Sequence, residues 1–312
     1  MNQNFWQSKR TILPWKLRTR TLTLGERTLV MAIANITPDS FSDGGLFFSP
    51  QKAIEHGLKA IEEGAAILDL GAESTRPGSR AGGAEGTAQA PAVNAEEEQT
   101  RLLPVIEGIL RAHPEAVISV DTYKASTALA AIAAGAEIVN DVSGFLWDEE
   151  MAAACAESKA GVVLSHTRGR PEEWAVQPRL APDTLMDEVR GGLHRSLETA
   201  AAAGIPVEAL VIDPGYGFGK RFEENFVLLN RQAELLDMGR PLLIGLSRKL
   251  FLGRALAPLH GGADASAQER DTASVAAQTV AILQGASIVR VHAVRAAVEA
   301  AQIADAMVKA RS

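Results

Sequence analysis

Short apolar, β-branched runs recur along the whole chain, each leading into a polar loop and then a helical stretch. They are 29–34 "LVMAIA", 66–70 "AILDL", 116–120 "AVISV", 136–139 "AEIV", 161–165 "GVVLS", 209–212 "ALVI", 241–246 "PLLIGL" and 286–291 "ASIVRV". Hydrophobicity without alternation suits strands covered on both faces, as in a parallel sheet. Eight strand–helix units over about 280 residues match a (β/α)8 TIM barrel in count and length. A doubly wound open sheet is the rival, but no G-x-G-x-x-G follows any of the strands.

The helices between the runs are punctuated. Ser49-Pro50 offers an N-cap and a proline for the first helical position, and Gly64 stops that helix before the second run. "KASTALAAIAAG", 124–135, reads as a short crossover helix. Residues 16–28 alternate and turn at Gly25, which predicts a β-hairpin ahead of the first barrel strand. Residues 78–95 are rich in Gly and Ala, lack a period and are expected to form a mobile loop. The expected organisation is an N-terminal extension, 1–15, poorly ordered, followed by one barrel domain, 16–312.

Composition narrows the function classes. A net charge of −7 lacks the basic face that non-specific nucleic-acid binding needs. The one cysteine, Cys155, excludes a disulfide framework and any multi-cysteine metal site; it lies in an Ala-rich helical stretch and is read as a small buried residue. No apolar run approaches the roughly 18 residues of a membrane span. The basic N-terminus has no apolar core of a signal peptide, so a soluble, cytoplasmic protein is expected.

The polar residues fall at the strand ends. Asn35 follows strand 1 and opens "NITPDSFSDGG", 35–45, a loop too long and too polar for a plain turn. Asp69 and "GAESTRP", 71–77, close strand 2. Asp121 follows strand 3, Asn140-Asp141 strand 4 and His166 strand 5. Asp213-Pro214-Gly215 follow strand 6, Ser247-Arg248-Lys249 strand 7, and Arg290 and His292 flank the end of strand 8. Capping accounts for any one of these, but not comfortably for all eight. In a barrel these ends converge on the C-terminal face, where active sites sit. Arg76, Arg248, Lys249, Arg290 and His292 form a cationic set suited to phosphate or pyrophosphate. Asp121, Asn140 and Asp213 form an acceptor-rich set suited to a flat heterocycle with several N–H donors. The site therefore reads as two-faced, with acids on one side and bases on the other.

Seven stretches in this order carry a resemblance: "NITPDSFSDGG", "LDLGAESTRPGS" (68–79), "SVDTYKA" (119–125), "NDVSG" (140–144), "DPGYGFGK" (213–220), "GLSRKLFLG" (245–253) and "RVH" (290–292). From about residue 29 onwards the chain resembles the dihydropteroate synthase family of folate biosynthesis. The resemblance implies a pterin-binding (β/α)8 barrel. It also implies a transferase that joins 6-hydroxymethyl-7,8-dihydropterin pyrophosphate to 4-aminobenzoate, giving 7,8-dihydropteroate and pyrophosphate. By resemblance Asp121, Asn140 and Asp213 hold the pterin edge, Lys249 lies over the ring, and Asp121, Asp213 and Lys249 carry the chemistry. Arg290, Val291 and His292 resemble the pyrophosphate site. Thr75, Arg76, Pro38, Phe41, Ser247 and Arg248 resemble the walls of the aminobenzoate pocket. Asn35 resembles the ligand of a Mg2+ cofactor. The family also implies a homodimer through late helices such as 272–284.

Some residues depart from the pattern or take structural readings. Ser165 and Thr167 stand where the family carries methionines beside His166, which puts the packing under the pterin in doubt. His166 is either a satisfied structural histidine or a functional one. Asp69 and Glu73 are read as structural, bonding to nearby amides or to Arg76. Asp43 is a loop cap or a metal-shell acceptor, Lys220 a solvated rim charge or an aid in ordering the loop after strand 6, and Trp147 and Trp174 packing residues. Three rival functions are a barrel serving methyl transfer to a corrinoid, a non-catalytic pterin binder, and an aldolase with Lys249 as Schiff base. The "STRPG", "SRK" and "RVH" stretches speak against the first, intact matched positions against the second, and Arg248 beside Lys249 against the third.

Overall fold

The computed structural model describes residues 10–36, 49–73 and 93–310. Pro38, Phe41, Asp43, Thr75, Arg76 and most of 78–95 lie outside the described residues, as do residues 1–9.

Ten strands are seen among the described residues. Two form a separate antiparallel hairpin, β1 (Leu13–Lys16) and β2 (Thr21–Leu24). The other eight are parallel: β3 (Leu29–Asn35), β4 (Ile67–Gly71), β5 (Ile118–Asp121), β6 (Ile138–Asp141), β7 (Gly161–Ser165), β8 (Leu210–Asp213), β9 (Leu243–Ile244) and β10 (Ile288–Val291). Their order is β8-β7-β6-β5-β4-β3-β10-β9. The Ile212–Leu242 bridge and the Ile212 N–H donated to the Pro241 carbonyl at 3.1 Å join β8 to the β9 side and close the ring. The predicted eight-strand barrel is thus the fold. The seventh barrel strand is shorter than 241–246, because Pro241 has no N–H for the ladder and the chain leaves the sheet at Gly245 towards Ser247.

Helices alternate with the strands: α1 (Pro50–Glu62), α2 (Ala95–Ala112), α3 (Ala125–Ala133), α4 (Met151–Ser158), α5 (Pro182–Ala202), α6 (Phe222–Arg231), α7 (Leu250–Ala255), α8 (Asp271–Leu283) and α9 (Val294–Lys309). Their starts follow local chemistry. Pro50 and Pro182 stand in the first turns of α1 and α5, and Asn94 caps α2 by accepting the Glu97 N–H at 2.8 Å. Cys155 is buried within α4, as its Ala-rich setting implied. No helix among the described residues is long and apolar enough to cross a membrane.

The barrel interior is layered by strand parity. Met31, Ile67, Val117, Ile138, Val163, Val211, Leu243 and Ile288 form one apolar cluster, one residue at or beside each strand. Two residues further along each strand, on the same face, come Ile33, Asp69, Ser119, Asn140, Ser165, Asp213, Gly245 and Arg290. The lower interior is therefore dry and the upper interior largely polar, which places the site at the C-terminal mouth.

The hairpin plugs the other mouth. Trp15, Leu17 and Leu24 join the lower apolar cluster, and Trp15 is fully buried, donating Nε1–H to the Ala209 carbonyl at 2.9 Å. Gly161 is required where β7 begins, since a Cβ there would lie 2.4 Å from Leu17 Cδ2. Two expectations are corrected here. The hairpin starts at Leu13 and turns through 17–20, with the Leu17 N–H bonded to the Arg20 carbonyl, whereas Gly25 lies beyond β2. Residues 10–15 also belong to the fold. The reason is physical: an indole must be buried, and Arg10 pairs at 2.8 Å with Asp305 of α9, which also accepts the Thr28 N–H and hydroxyl.

Emptying the plug has a calculable cost. Trp15→Ala is expected to lower unfolding free energy by about 3–5 kcal/mol, read as a lower urea midpoint at unchanged slope. A wild-type unfolding curve for this variant would show that the hairpin does not support the barrel.

Candidate active site

One cation organises the mouth. Arg290 of β10 donates Nε–H to Asp69 Oδ2 of β4 at 2.5 Å and an Nη2 proton to Asp121 Oδ2 of β5 at 2.5 Å. Asp69 is fully buried, while Asp121 and Arg290 keep small exposed fractions at the mouth. Asp69 Oδ2 accepts a second bond, from Asn140 Nδ2 of β6 at 3.0 Å. Residues from four strands thus form one network. Gly71 lets Asp121 pack over the end of β4, where a Cβ would meet the Asp121 Cβ at 3.3 Å.

Asp213 ends β8 and accepts the Gly215 N–H at 2.7 Å. Lys249 sits above, its Nζ 3.8 Å from the centroid of the Phe218 ring, and that ring stacks on Trp174 at 4.8 Å. Within this loop lies a buried lysine. Lys220 Nζ meets His166 Nδ1 at 2.7 Å and donates to the His166 and Phe218 carbonyls, both at 3.2 Å. Lys220 is therefore no rim charge; its Nζ is bound inside the protein and pins the 214–220 turn to the end of β7, the loop-ordering role that the sequence also left open. Gly215 is needed at that turn, with φ of 69° and a would-be Cβ only 1.9 Å from the His166 carbonyl oxygen. His166 also makes a backbone hydrogen bond with Glu188, which accords with the structural one of its two readings.

The remaining wall comes from the loop after β9. Ser247 Oγ lies 3.0 Å from His292 Nδ1 and accepts the His292 N–H at 3.1 Å. Arg248 adopts the left-handed φ of 58°, uncommon for a non-glycine. Three contacts hold it there: its N–H to Ser274 Oγ at 2.9 Å, its carbonyl to Arg270 at 3.0 Å, and a bidentate pair with Asp271 at 2.7 and 2.9 Å. Asn35 ends β3, partly exposed. Val291 is the exception among the predicted residues: its parity is opposite to Arg290, and its side chain packs in the outer core with α9. The expectation of separated acids and bases is also corrected. Arg290 lies between Asp69 and Asp121, because buried carboxylates on neighbouring strands need a cation between them.

Burial dominates the titration of these groups. It pushes the Asp121 carboxyl up to about 7, against the lowering pull of Arg290. Burial likewise raises Asp213, which the Gly215 N–H and Lys249 partly restrain. Lys249 is lowered by burial to about 8, with Asp213 and Asp121 opposing the shift. Lys220 and His166 are both lowered well below their ordinary values by burial. Perturbed groups converging in one mouth mark a chemical site.

Glu73 follows the structural reading with another partner, since it binds Lys124 at 2.5 Å and accepts the Val93 N–H. Asp69 also follows the structural reading, with Arg290 and Asn140 as its partners in place of nearby amides or Arg76. The signal for its inward position was parity: a charged residue inside an apolar strand, two positions before the mouth. The geometry provides a row of acceptors from Asp121, Asn140 and Asp213 beneath Lys249. A second group, Ser247, Arg248 and His292, stands beside it.

Comparison with known proteins agrees with this site. The pterin binding enzyme family matches residues 31–292. The dihydropteroate synthase of Bacillus subtilis (strain 168) is 41% identical over 286 residues, covering 92% of this chain and 90% of that protein. The Yersinia pestis dihydropteroate synthase solved in a sulfonamide drug complex superposes with a TM-score of 0.83 at 36% identity, covering 96% of this chain and 100% of that one. The Xanthomonas albilineans enzyme in complex with 7,8-dihydropteroate gives a TM-score of 0.78 at 37% identity, covering 94% and 98%. With its barrel, its polar mouth and a family match over most of its length, the chain belongs to the pterin-binding enzyme family, among the dihydropteroate synthases.

Proposed function

We propose a division of labour in the mouth for the reaction of this family. In that reaction 6-hydroxymethyl-7,8-dihydropterin pyrophosphate and 4-aminobenzoate give 7,8-dihydropteroate and pyrophosphate. Asp121, Asn140 and Asp213 take the N–H edge of the pterin, and Lys249 lies over the ring. Arg290 and His292 receive the pyrophosphate. Two of the five guanidinium N–H groups of Arg290 are committed to Asp69 and Asp121, which leaves three for an anion. Ser247 and Arg248, with Pro38, Phe41, Thr75 and Arg76, form the aminobenzoate side. The observation that carries this reading is the acceptor row of Asp121, Asn140 and Asp213 inside a mouth bridged by Arg290.

The residues account for the steps. The C–O bond to pyrophosphate breaks and its electron pair leaves with the phosphate oxygen, while Arg290 and His292 hold the developing negative charge. The methylene carbon is left electron-poor, and its positive charge spreads into the ring. The carboxylates of Asp121 and Asp213 face that charge in a water-poor setting, where their field is strong. The neutral arylamine then attacks, the C–N bond forms, and a proton is released. No enzyme nucleophile takes part.

Asn35 would hold the Mg2+, and the donor set fits. Its amide oxygen is a hard ligand at the mouth, suited to an ion that keeps most of its coordination to phosphate oxygens and water. When bound, the ion would supply charge neutralisation on the leaving group.

We further propose that the working unit is a cytoplasmic homodimer joined through late helices. Helix α9 packs beside α8 and leaves Ile303 and Met307 exposed, an apolar edge that a second copy would cover.

Three measurements test these roles. Purified protein with both substrates and Mg2+ is expected to form dihydropteroate, and Asp121→Asn to lower kcat by about 10²–10³ at an unchanged melting temperature. Full activity in that variant would remove Asp121 from the chemistry. Arg290→Lys keeps the charge but loses the fork. It is expected to raise KM for the pyrophosphate substrate about tenfold and to leave KM for 4-aminobenzoate alone; equal effects on both would refute the anion role. The third is a pH profile. Asp121 is protonated below about 7 and Lys249 loses its proton above about 8. For the pyrophosphate substrate, kcat/KM is therefore expected to rise through the first value and fall through the second. Asp121→Asn should flatten the acidic limb alone.

A further inference from the structure

The turn that carries Ser247, Arg248 and Lys249 has an arginine where glycine is the usual occupant. The Lys249 N–H is donated to the Leu246 carbonyl at 3.3 Å, which makes Arg248 the third residue of a four-residue turn, and its φ is 58°. A residue with a Cβ is strained in that region, so a turn of this sequence left to itself would spend much of its time elsewhere.

The three side chains of the turn go different ways. Ser247 Oγ meets His292 Nδ1 at 3.0 Å, and Lys249 Nζ lies 3.8 Å from the Phe218 ring centroid, both in the mouth. Arg248 is turned instead to helix α8, where Asp271 takes its Nε–H and an Nη2 proton at 2.7 and 2.9 Å. The start of the same helix also holds the Arg248 main chain. Ser274 Oγ accepts its N–H at 2.9 Å, and Arg270 donates to its carbonyl at 3.0 Å. These two are fixed in turn, since the Ser274 hydroxyl donates to the Arg270 carbonyl at 2.7 Å and the Arg270 Nε–H to the Ala265 carbonyl at 2.8 Å.

We propose that Asp271 is a positioning residue for Lys249, acting through Arg248. Its bidentate pair with the guanidinium holds the 246–249 turn in the left-handed form, and that form delivers Lys249 to the mouth. A two-pronged, charge-assisted pair is the strongest of the three restraints. It still leaves three of the five guanidinium N–H groups for the aminobenzoate side. A turn that is competent only part of the time weakens a ligand of Lys249 in proportion to the time lost. The inference rests on the proposed place of Lys249 over the pterin ring.

Binding of 6-hydroxymethyl-7,8-dihydropterin to the full chain, measured by calorimetry, tests both ideas. This probe lacks the pyrophosphate, so a guanidinium freed from Asp271 adds no attraction for an anion. Lys249→Met is expected to raise its Kd about fivefold or more. An unchanged Kd there would remove Lys249 from the ring, and this inference with it. Asp271→Ala is expected to raise the same Kd about fivefold. If Lys249→Met weakens the pterin and Asp271→Ala does not, the positioning role is refuted while the place of Lys249 stands.

Substitution at 248 separates a held backbone from a lost charge. Arg248→Ala and Arg248→Gly both remove the guanidinium, but only alanine has a Cβ to strain. Arg248→Ala is expected to raise Kd about fivefold and Arg248→Gly less than about twofold, since glycine enters the left-handed region freely. In the Arg248→Gly background, Asp271→Ala is expected to change Kd by less than about twofold, because no fork is left to hold. Equal Kd values for the alanine and glycine variants overturn the proposal. So does an Asp271→Ala effect that persists at full size in the Arg248→Gly background. The comparison of alanine with glycine holds even if Asp271→Ala fails to fold.

Discussion

The bridge from Arg290 to Asp69 and Asp121 is the interaction on which the mouth depends. Asp69 and Asp121 face the same interior from adjacent strands, and two carboxylates there could not both ionise unaided. Arg290 enters from β10, which lies beyond β3 in the ring, and its fork reaches across to both. Without it the upper interior would have to be apolar or protonated, and no acceptor row could exist. A buried ion pair is seldom a net stabiliser, since desolvation offsets most of the attraction. Stability comes from the dry layer below, sealed by Trp15 and Leu17, and from the helices packed outside. The apolar half of the barrel thus bears the cost of the polar half.

The same balance bears on the proposed chemistry. Burial pushes Asp121 up to about 7 while Arg290 pulls it down, so its charge is present near neutrality but not firmly so. Lys249, lowered to about 8, is the matching cation. Groups so poised respond strongly to a ligand. A donor-rich ring would favour ionised Asp121 and Asp213, and the carboxylates would then face the carbon from which pyrophosphate departs. Lys220 contributes at one remove, holding the 214–220 turn and so the Asp213 main chain.

How much of this was legible in the sequence follows from what each signal measures. Continuous hydrophobicity reports burial on both faces, and it located all eight barrel strands. Polar strand ends located the mouth, because Asp121, Asn140, Asp213 and Arg290 end or nearly end their strands. Contacts between distant segments were not legible. Arg290 read only as part of an anion-binding patch because nothing local shows that Asp69, 221 positions earlier, lies 2.5 Å away. Lys220 read as solvated because a lysine after a glycine-rich turn usually is; its burial depends on His166 from another strand. Val291 was drawn into the site by its neighbours in "RVH", although strand parity alone would have turned it outwards. Gly25 drew the hairpin turn to itself, when the register of Leu13 with Leu24 puts the turn before it.

The departure at Thr167 now has a physical account. The hydroxyl of Thr167 is not left facing a ring. It accepts the Trp174 Nε1–H at 3.0 Å and donates to the Gly169 carbonyl at 2.8 Å. Trp174, so held, stacks on Phe218, and Phe218 carries the Lys249 ammonium on its face. A polar residue in the place of a thioether thus fixes an indole, and through it an aromatic platform for a cation, which is favourable where water is scarce. Trp174 counts as a packing residue, as its position in a connecting segment suggested, but what it packs is the support of Lys249. The apolar contact that a methionine would supply by filling space is replaced by a rigid stack oriented by one hydrogen bond. A shape-adapting side chain tolerates imperfect neighbours, whereas this stack commits the 167–174 segment and the 214–220 turn to one relative position.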